Sequence, residues 1–226
     1  MEGMLQKGIR LYNIRRWEAA AKELLQVKND ELDAGDKTEQ SYYLGLASTK
    51  LGRYDDARKY LEQVLASGPD VLRSCQCRMT LAYIYVMTAR APLAEYELGR
   101  LTSRGYESAQ VYCTLAYAAW AQQQYKKAVD LYEKALDLDS ANATALNGLG
   151  YVLVDSGLDA YRGLRYCRKA VDLKPNRPAY LDSLGWAYYK NGDLPEARVW
   201  LRRALNLAPK EKEIMEHIKI SESAPS

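Results

Sequence analysis

The most constraining feature of the sequence is a small residue that returns at a nearly fixed interval. Gly8, Gly45, Ala82, Ala116, Gly150 and Gly185 stand 37, 37, 34, 34 and 35 residues apart. A second series, Ala20, Ala57, Ala94, Ala128, Gly163 and Ala197, steps by 37, 37, 34, 35 and 34. Two series in phase mean one supersecondary unit repeated six times, because such a unit cannot bury its apolar face alone and must stack. Other positions keep the same phase. Three residues before the second series come Trp17, Tyr54, Ala91, Tyr125, Ala160 and Leu194, and four after it come Leu24, Leu61, Leu98, Tyr132, Cys167 and Leu201. Pro69, Pro175 and Pro209 close three units. Each unit reads as two amphipathic helices joined by a short turn.

The small residues have a steric job. Where two antiparallel helices cross closely, Gly or Ala lets the backbones approach. Leucine at Gly185 should overpack that crossing at a cost of about 1–3 kcal/mol. The stretch "LGWAYYKNGDLPEA", residues 184–197, shows the turn. Gly192 suits the left-handed residue that ends a helix. Asp193 and Glu196 have capping-box spacing, and Pro195 sits in a first turn, where its missing N–H costs nothing. Three extra residues in each of "ELDAGDKTEQ" and "ASGPDVLRS" predict longer connections after units one and two, and unit five carries one extra residue in its turn.

Composition removes several function classes. The 32 Lys and Arg nearly balance the 29 Asp and Glu, giving a net charge of +3 and no electrostatic case for nucleic acid or a membrane surface. No stretch reaches the roughly 20 apolar residues of a membrane span, and the start lacks the apolar run of a signal peptide. If Met1 is the native start, the chain is expected in the cytoplasm. If it is a trimmed exported protein, the periplasm or envelope is the alternative. Cys75 and Cys77 are two apart, so on a helix they point to different faces. With Cys113 and Cys167 they read as free thiols, and the single histidine, His217, lies far down the chain. No metal and no cofactor is expected. There is no Gly-rich phosphate loop, no metal-spaced histidine cluster and no nucleophile motif, so the chain reads as non-enzymatic.

The layout resembles the tetratricopeptide repeat, a helix–turn–helix unit of about 34 residues. Leu184, Gly185, Tyr188, Ala197, Leu201 and Pro209 carry the resemblance in the sixth unit, and Leu44, Gly45, Tyr54, Ala57, Leu61 and Pro69 in the second. Units three and five depart from it, with Ala91 where an aromatic is usual and Gly163 where Ala is usual. The resemblance implies an all-α, right-handed α-solenoid of about six such repeats plus a C-terminal capping helix. The units are expected at 1–37, 38–74, 75–108, 109–142, 143–177 and 178–209, together a solenoid over 1–209. A capping helix is expected over 210–220, with Ile214, Met215 and Ile218 on its apolar side, and a frayed tail over 221–226.

In this family the first helices line a concave groove, and particular positions on them meet the partner. Those positions give Tyr12, Tyr43, Met79, Tyr83, Tyr117, Trp120, Asn147, Tyr151, Trp186 and Tyr189, with Asp155, Asp182 and Lys190 placed to orient a ligand. Trp186 lies two residues past the core position Leu184 and is expected to face the groove. The aromatics are 19 Tyr and 4 Trp with no Phe, rings with a polar tip that suit half-wet surfaces. Family members that grip heat-shock chaperone tails through a carboxylate clamp use Lys, Asn and Arg in the groove. Here those places hold Leu5, Ile9, Tyr42, Leu46, Met79, Tyr83, Cys113 and Tyr117, which counts against that mode. The expected function is a non-catalytic protein–protein interaction scaffold or adaptor, holding a peptide or amphipathic helix of another protein in an aromatic-rich groove. The alternative is a structural subunit that self-associates into a homo-oligomer within a larger assembly. The segment "LDSLGWAYY" at 181–189 resembles repeats of bacterial envelope-associated tetratricopeptide proteins. Arg162, Arg165, Arg168, Lys169, Arg198, Arg202 and Arg203 fall mostly on second helices, as a solvated outer face or a surface for an acidic partner.

Overall fold

The structure is a computed structural model that describes residues 3–28, 32–68 and 70–224. Pro69 and the last two residues of the expected tail lie outside the described residues. The described residues form thirteen α-helices and no strand. The helices run in antiparallel pairs: α1 (Met4–Asn13) with α2 (Trp17–Gln26), α3 (Ala34–Lys50) with α4 (Tyr54–Ala66), α5 (Val71–Met87) with α6 (Ala91–Thr102), α7 (Ala109–Ala121) with α8 (Tyr125–Leu138), α9 (Ala143–Asp155) with α10 (Ala160–Leu173), and α11 (Pro178–Lys190) with α12 (Leu194–Leu207). α13 (Lys212–Ser223) follows. The chain divides into two compact units, residues 1–106 and 107–226, each holding three pairs.

The small-residue rule has a direct atomic basis. A Cβ on Gly8 would lie 2.6 Å from Leu24 Cγ, one on Gly45 2.8 Å from Leu61 Cγ, and one on Gly185 2.7 Å from Leu201 Cγ. In every case the partner sits four residues after the second small residue of the same pair. Each leucine is fully buried, so the missing methyl is the space its side chain fills. In the fifth pair two glycines meet instead. A Cβ on Gly150 would stand 2.6 Å from Cys167 Sγ and 2.9 Å from Gly163 O.

Turns within pairs are three residues long except after α9, where Ser156–Asp159 makes four, as the extra residue in that unit implied. The turn residues Arg15, Gly52, Ala89, Gln123, Gly157 and Gly192 all take positive φ. Asp193 Oδ1 accepts the Glu196 N–H at 3.2 Å and starts α12. The Asp193 N–H that the reciprocal half of the capping box needs donates instead to Tyr188 O at 3.0 Å, and Glu196 Oε2 accepts from Trp200 Nε1 at 3.0 Å. After α2 the connection, residues 27–33, is longer than the one between α8 and α9, as expected, whereas after α4 it is as short as that one. α3 and α5 have 17 residues where α7, α9 and α11 have 13, so an added helical turn absorbs much of the excess.

Within each unit the first helices of successive pairs touch one another, α1, α3 and α5 in one unit and α7, α9 and α11 in the other, so they share a face. Polar groups lock neighbouring pairs in register. Buried Gln40 donates from Nε2 to Leu24 O at 2.7 Å and to Val27 O at 3.2 Å, satisfying carbonyls at the end of α2. α13 packs on both α11 and α12, on the side of the shared first-helix face. Its inward stripe is Ile214, His217 and Ser221, spaced i, i+3, i+7, whereas Met215 is 42% exposed. The helix runs to Ser223, past the expected end at 220. Ser221 is fully buried and its carbonyl accepts from Arg198 Nε at 3.2 Å.

Candidate functional site

The second unit holds a cavity of about 460 Å³ on its first-helix face. α7 supplies Tyr117 and Trp120, α9 supplies Thr144, Asn147, Gly148 and Tyr151, α11 supplies Asp182 and Ser183, and α13 closes the side with Glu213 and Ile214. Arg177 and Glu211, the residues just before α11 and α13, complete the rim. Gly148 shapes the floor: a Cβ there would fall inside the Tyr132 ring, so its absence lets that ring lie against α9. The expected site residues Tyr117, Trp120, Asn147, Tyr151 and Asp182 thus meet around one cavity.

Its aromatic wall is angular. Tyr117 and Trp120 have centroids 5.2 Å apart at 48°, and Trp120 and Tyr151 are 5.7 Å apart at 73°. In the T-shaped pair the edge of one ring meets the face of the other, and all three rings line the cavity. Carboxylates hold them. Trp120 Nε1 donates to Asp155 Oδ2 at 3.3 Å, and the Tyr151 hydroxyl donates to Glu213 Oε1 at 3.0 Å. Burial first, then Glu213, Asp155 and Asp182 push the Tyr151 hydroxyl's pKa well above its ordinary value. Three negative groups thus act on one point. Asn147 Oδ1 is buried and takes no hydrogen bond.

Trp186 and Asp182 depart from the sequence expectation. Trp186 is only 7% exposed and belongs to the core beneath α13. It stacks on the His217 ring at 4.2 Å and 13°, and on Tyr189 at 5.0 Å and 16°, with Lys190 Nζ 5.0 Å from its centroid. Asp182 is 4% exposed and both its oxygens lie 3.0 Å from His217 Nδ1. Trp186 does point away from the α11–α12 core, but the chain's own α13 covers it. Burial opposes charge on His217, yet the bond to Asp182 and the charges of Asp182, Glu213 and Glu216 raise its pKa on balance. Asp182, Glu213 and His217 could each offer one ligand atom to a cation. Through the Nδ1 bond, His217 and Asp182 form the buried pair that docks α13 on α11. Its sequence signal was a histidine in phase with Ile214 on an otherwise ordinary capping helix.

The remaining candidates lie in the first unit. Tyr12 and Tyr43 meet edge to face at 5.4 Å over the α1–α3 core. Tyr83 is 45% exposed and meets Tyr54 edge-on at 6.5 Å. Met79 is half-buried on α5. These residues do not join the cavity of the second unit. The basic residues of the outer helices are largely engaged within the chain. Arg162 bonds Glu133, Arg202 bonds Glu222 at 2.8 Å, Arg203 donates to Pro175 O at 3.1 Å and Arg168 donates to the Tyr188 hydroxyl at 2.5 Å.

Comparison with known proteins agrees with this architecture. Residues 38–73 match the Fis1 C-terminal tetratricopeptide repeat, 116–157 the TPR repeat and 178–211 the tetratricopeptide repeat. A TPR repeat-containing protein of Pseudomonas aeruginosa is 42% identical over 77 residues, covering 34% of this chain and 13% of that protein. The mitochondrial import receptor subunit TOM70 of Homo sapiens is 28% identical over 116 residues, 51% of this chain and 19% of that one. The chain therefore spans a fifth or less of these curated relatives. Among solved structures, a thermophilic TPR protein of Thermus thermophilus superposes with TM-score 0.70 at 20% identity, covering 83% of this chain and all of that one. The YrrB structure, described as a TPR protein with an unusual peptide-binding site, superposes with TM-score 0.55 at 16% identity, covering 90% and 97%. The helix pairs, the in-phase small residues and these three matched segments make the chain a tetratricopeptide-repeat protein with an all-α solenoid fold.

Proposed function

We propose that the chain is a non-catalytic interaction scaffold that binds a peptide or helix of another protein on the face of its first helices. The main contact is the cavity of the second unit. The observation that carries this reading is the angular wall of Tyr117, Trp120 and Tyr151 around about 460 Å³ of space. Large rings with a polar tip, partly exposed beside a concavity, are what interfaces use as anchors. The peptide-binding site named for YrrB lends support at the level of fold alone. The repeat boundaries expected from the sequence belong to the same proposal, with six units ending near residue 209.

Affinity capture on the full chain, against Tyr117→Ala and Trp120→Ala, tests it. Truncating an anchor commonly costs about 2 kcal/mol or more, roughly thirtyfold in affinity. Proteins retained by the wild type should be lost from both variants while circular dichroism stays unchanged. An unchanged set of retained proteins on folded variants would overturn the proposal. Light scattering separates the self-association alternative, which requires a concentration-dependent oligomer.

A further inference from the structure

The cavity has a charge character that the apolar reading of the groove leaves unused. Its carboxylates are Asp182, Glu211 and Glu213, and Asp155 accepts from the Trp120 indole, while Arg177 is the basic side chain on the rim among the described residues. Asp182 is engaged by His217, so the acidity left on the lining centres on Glu213 and Glu211, with Asp155 set at the Trp120 indole. Beside it stand the rings of Tyr117, Trp120 and Tyr151, and a ring face is the negative end of its quadrupole. Ring faces and carboxylates together make a surface that attracts cations and repels anions.

We propose that this cavity receives a basic side chain, arginine or lysine, from the partner segment, its cation set over Trp120 and Tyr151 and paired with Glu213. This rests on the groove reading above and names what that groove selects. The geometry fits the chemistry. An arginine or lysine stem is apolar for three or four carbons and can lie along Tyr117, while the head reaches the carboxylate end. A planar guanidinium stacks on an aromatic face and still donates in its own plane to a carboxylate. Half-buried sites strengthen both contacts because water screens them less. Burial is the largest cause of the raised Tyr151 pKa, and the added push from Glu213, Asp155 and Asp182 has the same sign of potential.

The test is selection of a random dodecapeptide library on the immobilised full chain, followed by Kd measurement of the enriched peptides in solution. The expected result is a shared Arg or Lys position. Replacing it by norleucine, which keeps the stem and removes the charge, should weaken binding about tenfold or more. Glu213→Gln and Asp155→Asn keep their hydrogen-bond acceptors and should weaken the same peptides severalfold, while the norleucine peptides lose little. Peptides that need Tyr117 but share no basic position, or that ignore Glu213→Gln, overturn this inference and leave the groove reading standing. An acidic consensus overturns it as well. If no enriched peptide depends on Tyr117, both readings fall.

Discussion

Alanine at Gly150 tests the close-crossing argument most sharply, because two opposed effects meet there. Gly150 lies inside α9, where alanine is favoured over glycine by about 1 kcal/mol of helix propensity. Against this, the new Cβ would lie 2.6 Å from Cys167 Sγ, 2.8 Å from Cys167 N and 2.9 Å from Gly163 O. Two of those three atoms are backbone of α10, which cannot rotate aside as a leucine tip can. The helices must separate by about half an ångström, loosening contacts along the whole crossing. Overpacking of this kind costs about 1–3 kcal/mol, and backbone contacts put it at the upper end. The net expectation is a loss of about 2 kcal/mol, or a fall in Tm of about 4–8 °C. Gly99→Ala is the control. Gly99 is also helical, but a Cβ there meets nothing within 4 Å, so only the propensity gain remains. Its Tm should rise by about 2–4 °C. Gly163→Ala should behave like Gly150→Ala, and the double variant should cost less than the two singles together, since one separation relieves both clashes. Thermal unfolding followed by circular dichroism at 222 nm measures all four. A Gly150→Ala protein that melts at or above the wild type would refute the steric account.

Two further outcomes concern titratable groups. His217→Gln should destabilise the second unit by about 1.5–3 kcal/mol, the value of a hydrogen bond to a charged partner. The folded pKa of His217 is raised, so its contribution is fully present below the ordinary value of 6.5 and is lost as pH climbs through the folded value. The Tm gap between wild type and variant should be widest near pH 6 and narrow toward pH 9. A gap that widens with pH would contradict the assignment. Burial pushes the thiols of Cys77, Cys113 and Cys167 up to about 12, whereas Cys75 is partly exposed. A thiol reagent at pH 8 should therefore modify Cys75 first in the native protein and the other three only on unfolding. Equal native rates at all four would show that the core is open.

The pair structure was legible because it rests on contacts that recur at fixed sequence offsets. Gly8 with Leu24, Gly45 with Leu61 and Gly185 with Leu201 are one contact written three times, and a periodic contact leaves a periodic trace. The turn chemistry was legible for the same reason, since Gly192 and Asp193 act within four residues of themselves. Glu196 was misread because a local rule met a local competitor. The Asp193 N–H that the box needs already donates to Tyr188 O of the preceding helix, which leaves Glu196 to accept from the Trp200 indole one turn further along. The longer connection after α2 falls where the excess predicts it, but the excess after α4 goes into the added turn of α5, because length in excess of a repeat says nothing about which element absorbs it.

Trp186 shows the more general difficulty. Helical register states which way a side chain points, and it pointed Trp186 correctly away from the α11–α12 core. Register does not state what lies in that direction. The face that a first helix offers to a ligand is the same face that the next element of the chain can occupy. In the interior of a stack the following first helix lies alongside and the face between them stays open. After the sixth pair α13 lies alongside α11 and α12, held by His217 on Asp182, Glu213 on Tyr151 and the Ser221 carbonyl on Arg198. Covering Trp186 does not abolish the site. It moves the open aromatic surface one pair inward, to Tyr117, Trp120 and Tyr151, and gives that surface a new wall carrying Glu213. Part of the acidic lining of the cavity is thus contributed by α13, so on the proposal above the same helix that covers Trp186 also bears on which charge the groove accepts.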